Sequence, residues 1–209
     1  MSTPPTVAAQ VEAVSAFSAA TLLESGATVV DPGVRPLDSA ARLCGRAFTV
    51  RLTEGHNIWL HRAVYEASPG DVLVAEVSGV RTGQGYGYWG EILASAARVR
   101  GVLGLVIDGS VRDRRELVEL GFPVFAHGLC VRGTAKDPAG GGTAEPVTVG
   151  GVEVHTGDVV VGDADGVVIV AQDEAAAVGD RAAQRMDSER GILERIAAGE
   201  STLDIYGFA

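Results

Sequence analysis

A chain of 209 residues with 46% hydrophobic and 21% charged residues has a globular composition, which excludes a disordered segment, and can bury about 70% of its unfolded surface. A formal net charge of −10 denies it the broad cationic surface of a non-specific nucleic-acid binder, so an anionic ligand would need a locally positive site. Its two cysteines, Cys44 and Cys130, lack C-x-x-C spacing, which excludes the common zinc and dithiol motifs and leaves two buried thiols as the reading. The opening Met1-Ser-Thr-Pro-Pro-Thr6 has no basic or apolar signal region, and no eighteen apolar residues run together. A cytoplasmic protein outside the membrane is expected.

Alanine-rich, mixed apolar spacing over residues 7–24 predicts an N-terminal helix ending near Gly26. A strand follows over 47–52, then a helix over 57–67 that Ser68-Pro69-Gly70 stops. Strand 71–77, helix 91–100, strand 102–107, helix 113–120 and strand 123–127 alternate at the lengths of consecutive β-α-β units. They predict a parallel or mixed sheet. Residues 133–142 read as a loop, and β-rich runs follow at 147–149, 152–155, 159–161 and 167–170. Gly150-Gly151, Thr156-Gly157-Asp158 and Asp163-Ala-Asp-Gly166 separate them with the turn chemistry of antiparallel hairpins. A charged helix runs from Asp173 to about Ala198, and the tail carries Leu203, Ile205, Tyr206 and Phe208. Such a tail is too apolar for a free end, so the segment from about 173 to 209 is expected to pack on a neighbouring subunit. The economical reading is a single α/β domain over 1–209, with mixed β layers and helices.

Within residues 82–91, Gly85, Gly87 and Gly90 spell G-x-G-x-x-G ahead of a predicted helix. A dinucleotide fingerprint turns directly after its strand and opens the first β-α-β unit. Here about seven residues separate Val77 from Gly85, and another strand and helix come first. The glycines instead bare the start of a helix, where the N–H groups of Glu91, Ile92 and Leu93 can receive a carboxylate as readily as a phosphate. Tyr86, Tyr88 and Trp89 are read as a wall or lid over such a site.

Glu91 and the pair Arg112-Asp113 begin helices that follow neighbouring strands, so they converge at the edge where open α/β sheets collect ligands. Each also has a plain structural explanation. Asp113-Arg-Arg-Glu116 resembles a capping box, Arg112 an ordinary ion-pair partner, and Glu91 a first-turn acid. His56, His61 and His155 lack metal-ligand spacing and read as surface or packed histidines, while Asn57 is placed near the crevice and Lys136 near a distal carboxylate.

The span Gly90-Glu-Ile-Leu-Ala, then Gly101-Val-x-Gly-x-Val-Ile-Asp108-Gly-x-x-Arg112-Asp113, resembles the RraA-like family. That family contains class II 4-hydroxy-4-methyl-2-oxoglutarate aldolases and oxaloacetate decarboxylases, and is marked by an acid, twenty residues, then Arg-Asp. Glu91, residues 92–111 and Arg112-Asp113 reproduce the spacing. Likeness continues through Pro69-Gly-Asp-Val-Leu-Val, Arg132-Gly-Thr-Ala-Lys136, the run from Gly157 to Val168 and Ala198-Gly-Glu-Ser-Thr-Leu-Asp204. Three places depart: Glu91 stands where Asp is usual, His127 where arginine is common, and His155-Thr-Gly-Asp158 where Pro-Gly-Asp is usual.

The resemblance implies a swivelling β/β/α-type fold and a divalent ion, Mg²⁺ or Mn²⁺, bound directly by Asp113 and through water by Glu91. Arg112 would contact the 2-oxo oxygen of a pyruvate-like unit, in a carbon–carbon lyase that forms an enolate by retro-aldol cleavage or decarboxylation. The base for the 4-hydroxyl is not visible in the motif, and water polarised by the ion is the candidate. An acid from a neighbouring subunit belongs to the family pattern, and Glu189 is assigned that place here. Homotrimers or hexamers are implied. The resemblance also leaves open a non-catalytic regulator that binds an RNase, or a lyase whose substrate has diverged through His127 and the aromatic loop at 82–90.

Overall fold

The computed structural model describes residues 6–79 and 85–209. Helix α1 (Val7–Ser15) starts where Thr6 Oγ1 accepts the N–H of Ala9 at 3.3 Å. The single helix expected over 7–24 is broken at Ser18, whose hydroxyl accepts the N–H of Thr21 at 3.1 Å and caps a second helix, α2 (Ala19–Leu23). Asp163 fixes that break by accepting the N–H of Ala19 at 2.8 Å. A serine that can satisfy orphan donors turns continuous helical spacing into two helices.

Two short strands follow, β1 (Thr28–Val29) and β2 (Arg35–Pro36), then β3 (Leu43–Thr53), α3 (Ile58–Glu66) and β4 (Asp71–Ser78). The β-α alternation continues as α4 (Glu91–Val99), β5 (Gly104–Val111), α5 (Arg114–Glu119) and β6 (Val124–Leu129). Beyond lie β7 (Gly142–Thr143), β8 (Val147–Val149), β9 (Val152–Val154), β10 (Val159–Asp163), β11 (Gly166–Val170), α6 (Ala175–Ala197) and α7 (Thr202–Tyr206).

The main sheet runs β1-β11-β10-β3-β4-β5-β6-β2, with β7 attached to β3. β3, β4, β5 and β6 are parallel, whereas β10, β11, β1 and β2 pair antiparallel. β1 and β2 stand at opposite edges of that order, yet only residues 30–34 join them. A flat sheet of that width would separate its edges by about 34 Å, and so short a link spans at most about 21 Å. The sheet therefore curls until its edges approach.

Curling buries both faces of β4 and β5 over most of their length, which is why Val72-Leu-Val-Ala75 of β4 reads as an apolar run. Leu73, Ala75 and Val77 face the helices α3 and α4, alongside Leu105 and Ile107 of β5. Val72 and Val74 face the concave interior with Val106, Phe125, Val160 and Ile169. The hairpin β8–β9 drops Val147, Val149 and Val154 into that interior, turning through Gly150 and Gly151, both at positive φ as a tight hairpin turn demands. α1, α2 and α6 cover the outer side of β10 and β11 through Val14, Leu22 and Val178.

α6 buries Ala175, Val178 and Ala182 in its first half and leaves Met186, Leu193 and Ile196 exposed in its second. α7 and the tail expose Leu203, Tyr206 and Phe208. Among the described residues, no helix is long and apolar enough to cross a membrane.

A candidate active-site cleft at the start of two helices

Because β3 to β6 are parallel, their carboxyl ends share one edge, and α4 and α5 both begin there. After β4 the chain returns at Gly87, which forms a parallel bridge to Ser110 at the end of β5. The N–H of Tyr88 donates to Ser110 O at 3.0 Å, and that of Arg112 to Trp89 O at 2.8 Å. Residues 87–89 are thus laced along the strand that delivers Arg112.

Tyr88 and Trp89 form part of the cleft wall and not a lid. Both are fully buried, at 0% and 1% exposure. Tyr88 Oη accepts the N–H of Gly55 at 3.0 Å, and Trp89 stacks on Phe122 with ring centroids 5.7 Å apart. Burying two large aromatics stabilises the loop by about 3–6 kcal/mol before entropy costs, which makes this segment an anchor. Tyr86 is half-buried beneath the guanidinium of Arg132, and residues 82–84 of the aromatic loop lie outside the described residues.

The anchor presents Gly90 as the N-cap of α4, in extended conformation and with no side chain to cap the helix. Asp113 supplies the cap from the neighbouring element: its Oδ2 accepts the N–H of Glu91 at 3.1 Å. A Cβ on Gly90 would overlap that carboxylate, so only glycine permits the approach. Asp113 is itself the N-cap of α5 and sits in the left-handed region, φ 58 and ψ 42, without bonding its own helix. The capping box suggested by Asp113-Arg-Arg-Glu116 is therefore not formed, because the carboxylate is committed across the cleft. A non-glycine residue held left-handed costs about 1–2 kcal/mol and marks a position over-determined by its surroundings.

One cleft of about 260 Å³ is lined by Gly90, Ile92, Leu93, Arg112 and Asp113, so the structure brings these five predicted residues together. Arg112 Nε lies 3.7 Å from Asp113 Oδ2, with both side chains partly exposed. Glu91 gives its N–H to Asp113, while its carboxylate is exposed and does not line the cleft. The N–H groups of Ile92 and Leu93 have no intrahelical carbonyl within reach. Ile92 is 78% exposed at the rim. Glu189 lies on α6, where it pairs with Arg185 at 2.8 Å outside the cleft of its own chain.

The opposite wall comes from α3 and from the loop after β6. Asn57 is buried; its Nδ2 donates to Tyr88 O at 2.7 Å, and its Oδ1 accepts from Lys136 Nζ at 2.6 Å. Burial, and then the Arg112 charge, hold the Lys136 ammonium below the usual lysine range. His61, read from sequence as a surface or packed residue, lines this wall. Burial and the neighbouring Lys136 push its pKa down. The signal available in the sequence was its place one helical turn after Asn57.

His127 points elsewhere. Alternation along β6 puts it on the concave side with Phe125, and its Nε2 lies 2.6 Å from Asp108 Oδ1, whose other oxygen accepts the N–H of Gly150 at 3.2 Å. Among the described residues, no three His, Cys, Asp or Glu side chains gather in the manner of an all-protein metal cage.

Residues 15–169 match the RraA-like family model, described as Aldolase/RraA. Over 183 residues the chain is 32% identical to a protein of Halalkalibacterium halodurans named "Putative 4-hydroxy-4-methyl-2-oxoglutarate aldolase", covering 86% of this chain and 85% of that one. Streptomyces coelicolor RraAS2, described as an unusual member of the RNase ES inhibitor RraA protein family, superposes with a TM-score of 0.78 at 28% identity, over 92% of this chain and 100% of that one. The RNA-processing inhibitor RraA from Thermus thermophilis gives 0.62 at 28% identity, over 71% and 87%. A family match across most of the chain, with the same mixed α/β fold in the solved relatives, shows that this chain belongs to the RraA-like family.

Proposed function

We propose that the protein is a class II, divalent-metal-dependent carbon–carbon lyase acting on pyruvate-yielding 2-oxo acids. Its reactions would be retro-aldol cleavage of 4-hydroxy-4-methyl-2-oxoglutarate-type substrates, decarboxylation of oxaloacetate, or both. The observation that carries this reading is Asp113. It is held left-handed, with one carboxylate oxygen on the N–H of Glu91 and Arg112 beside it, at a cleft where two helices begin.

The donor set fits the implied ion. Asp113 and Glu91 offer hard carboxylate oxygens, and the Glu91 side chain has no hydrogen bond or ion pair among the described residues. Few protein ligands suit Mg²⁺ or Mn²⁺, which keep several waters. Asp113 would hold the ion directly and Glu91 through water, with Glu189 of a neighbouring subunit as a further acid. When bound, such an ion supplies Lewis-acid stabilisation to negative charge developing on the 2-oxo oxygen.

The chain's own groups supply the rest. Arg112 places a guanidinium at the same oxygen, and removing one preorganised donor of this kind costs about 10²–10³-fold in rate. The N–H groups of Ile92 and Leu93, at the positive end of α4, receive the adjacent carboxylate. Asn57 and Lys136 close the far wall, and the buried Tyr88 and Trp89 keep Gly90 from drifting out of register.

Release of pyruvate from oxaloacetate and from 4-hydroxy-4-methyl-2-oxoglutarate, measured with and without a chelator, tests the reading. Activity that survives chelation, or survives in both Asp113→Ala and Arg112→Ala, would sink it. A second reading, a non-catalytic regulator of an RNase, is favoured by the description of the solved relatives as RNA-processing inhibitors. Saturable binding to an RNase that Asp113→Ala leaves unaffected would support it. In either case the exposed apolar residues of α6 and α7 support assembly as a trimer or hexamer.

A further inference from the structure

The protein has four histidines, and three are occupied. His56 Nδ1 accepts the N–H of Asp137 at 3.0 Å. His127 is paired with Asp108, and His155 sits between Glu153 and Asp158 at 3.5 and 3.8 Å. His61 alone has no side-chain hydrogen bond or ion pair among the described residues, and it faces the cleft.

Its place in the helix is next to a fixed residue. Asn57, the residue that precedes α3, is locked between Tyr88 O and Lys136 Nζ, and His61 lies one helical turn after it in the lining of the same cleft. Charged groups around the cleft are Lys136 and Arg112, both cationic, and Asp113, already engaged by Glu91 N–H and Arg112. Two cations and partial burial favour the neutral imidazole, the form that accepts a proton.

Retro-aldol cleavage begins with removal of a proton from the substrate's 4-hydroxyl. Arg112 is permanently charged and cannot take it. Asp113 already accepts one hydrogen bond and faces a guanidinium. Lys136, held as an ammonium with two of its three donors on Asn57 and Thr134, has no lone pair to take the proton, and the Glu91 carboxylate does not line the cleft.

Resting on the lyase reading above, we propose that His61, in place of the ion-polarised water that the resemblance suggested, is the general base of the retro-aldol reaction, placed by α3 in the same cleft as Arg112 and Asp113. A ring nitrogen takes the hydroxyl proton, and the oxygen's electron pair forms the new carbonyl at C4. The C3–C4 bond breaks, and its electron pair passes to the pyruvate unit as the enolate. The imidazolium then gives the same proton to C3. Imidazole ends neutral, pyruvate and the second oxo acid leave, and no outside reactant is consumed.

Decarboxylation of oxaloacetate forms the same enolate without a hydroxyl to deprotonate, so the two reactions separate the role of His61 from that of the rest of the site. In His61→Asn and His61→Ala the ratio of retro-aldol to decarboxylation rate should fall by about 10²-fold or more, the usual contribution of a positioned base. Added imidazole should restore part of the retro-aldol rate in His61→Ala. An unchanged ratio, whether both rates hold or both fall together, overturns the assignment. Selective loss that imidazole does not repair overturns it too, since it makes His61 an orienting residue. Wild-type protein that releases pyruvate from neither substrate fails at the earlier step, the lyase reading, and takes this proposal with it.

Discussion

Asp113 caps the helix that begins at Glu91, from across the cleft, with its Oδ2 3.1 Å from the Glu91 nitrogen. One carboxylate therefore does two things, holding the start of α4 and presenting charge to the cleft, and substitutions can part them. Asp113→Asn keeps an acceptor and tolerates the left-handed backbone, so its Tm should stay within about 2 °C of wild type. Pyruvate release should nevertheless fall by about 10²-fold or more, because the charge is gone. Asp113→Ala loses the cap, worth about 1 kcal/mol, and strains an alanine at positive φ by about as much again. Its Tm should drop by about 4–8 °C. Thermal melts beside the pyruvate assay check both, and an Asn variant as active as wild type would remove the charge from the mechanism.

Gly90 and Gly87 look alike in the sequence but should fail differently. A Cβ at Gly90 meets the Asp113 side chain, which can swing away, so Gly90→Ala should cost no more than the cap, about 1 kcal/mol, and about 10²-fold in activity through a displaced carboxylate. A Cβ at Gly87 meets the backbone carbonyl of Cys130, which cannot move without shifting a strand. Gly87→Ala should therefore destabilise by about 1–3 kcal/mol. Urea unfolding of both variants, with activity measured in parallel, distinguishes a displaced side chain from a displaced strand.

Asn57 carries the far wall on two bonds. In Asn57→Leu the buried carbonyl of Tyr88 loses its donor, a loss of about 1–3 kcal/mol, and Lys136 loses its 2.6 Å anchor. Chemical denaturation should show the loss, and KM for the 2-oxo acid should rise as the wall loosens. Unchanged stability would mean that water replaces the amide at Tyr88.

The sequence made the β-α alternation legible because β4, β5 and β6 are apolar on both faces and are stopped by Pro and Gly. Gly150-Gly151 likewise announced the β8–β9 hairpin. β1 and β2 were missed because two residues carry no periodicity, and their pairing depends on the curl that brings the sheet edges together. β3 was read short, at 47–52, because its two halves serve different partners: Leu43–Arg46 pair with β10 and Arg46–Thr53 with β4. The spacing of Glu91 and Arg112-Asp113 placed the cleft, but not the direction of the bond between Asp113 and Glu91. Tyr88 and Trp89 were legible as a wall or a lid but not as which of the two, since an aromatic loop has the same letters whether it faces water or core. His61 was passed over because its significance comes from Lys136, 75 positions later in the chain.

The apolar end of the chain gives a prediction about assembly. Leu203, Tyr206 and Phe208 are more than half exposed, and Tyr206 stacks on Phe208 with centroids 5.9 Å apart. A protein truncated before Ser201 should keep its melting transition while losing assembled mass in sedimentation analysis, because no buried side chain is removed. A truncated chain that sediments as the full-length one does would place the subunit contacts elsewhere.

The lowered pKa of His61 makes stability depend on pH in a stated direction. Folded His61 holds its proton less tightly than the unfolded chain, so between the folded pKa and the ordinary value of about 6.5 the unfolded state binds more protons. Stability from this group is therefore complete above about pH 6.5 and is lost as pH falls through that window, reaching a floor below the folded pKa. His61→Gln, which cannot titrate, should flatten this part of the curve while leaving the alkaline side alone. The check is Tm against pH for wild type and variant between about pH 4 and 8. Curves that stay parallel down to the acid end would show that Lys136 and burial do not act on His61 as the cleft geometry requires.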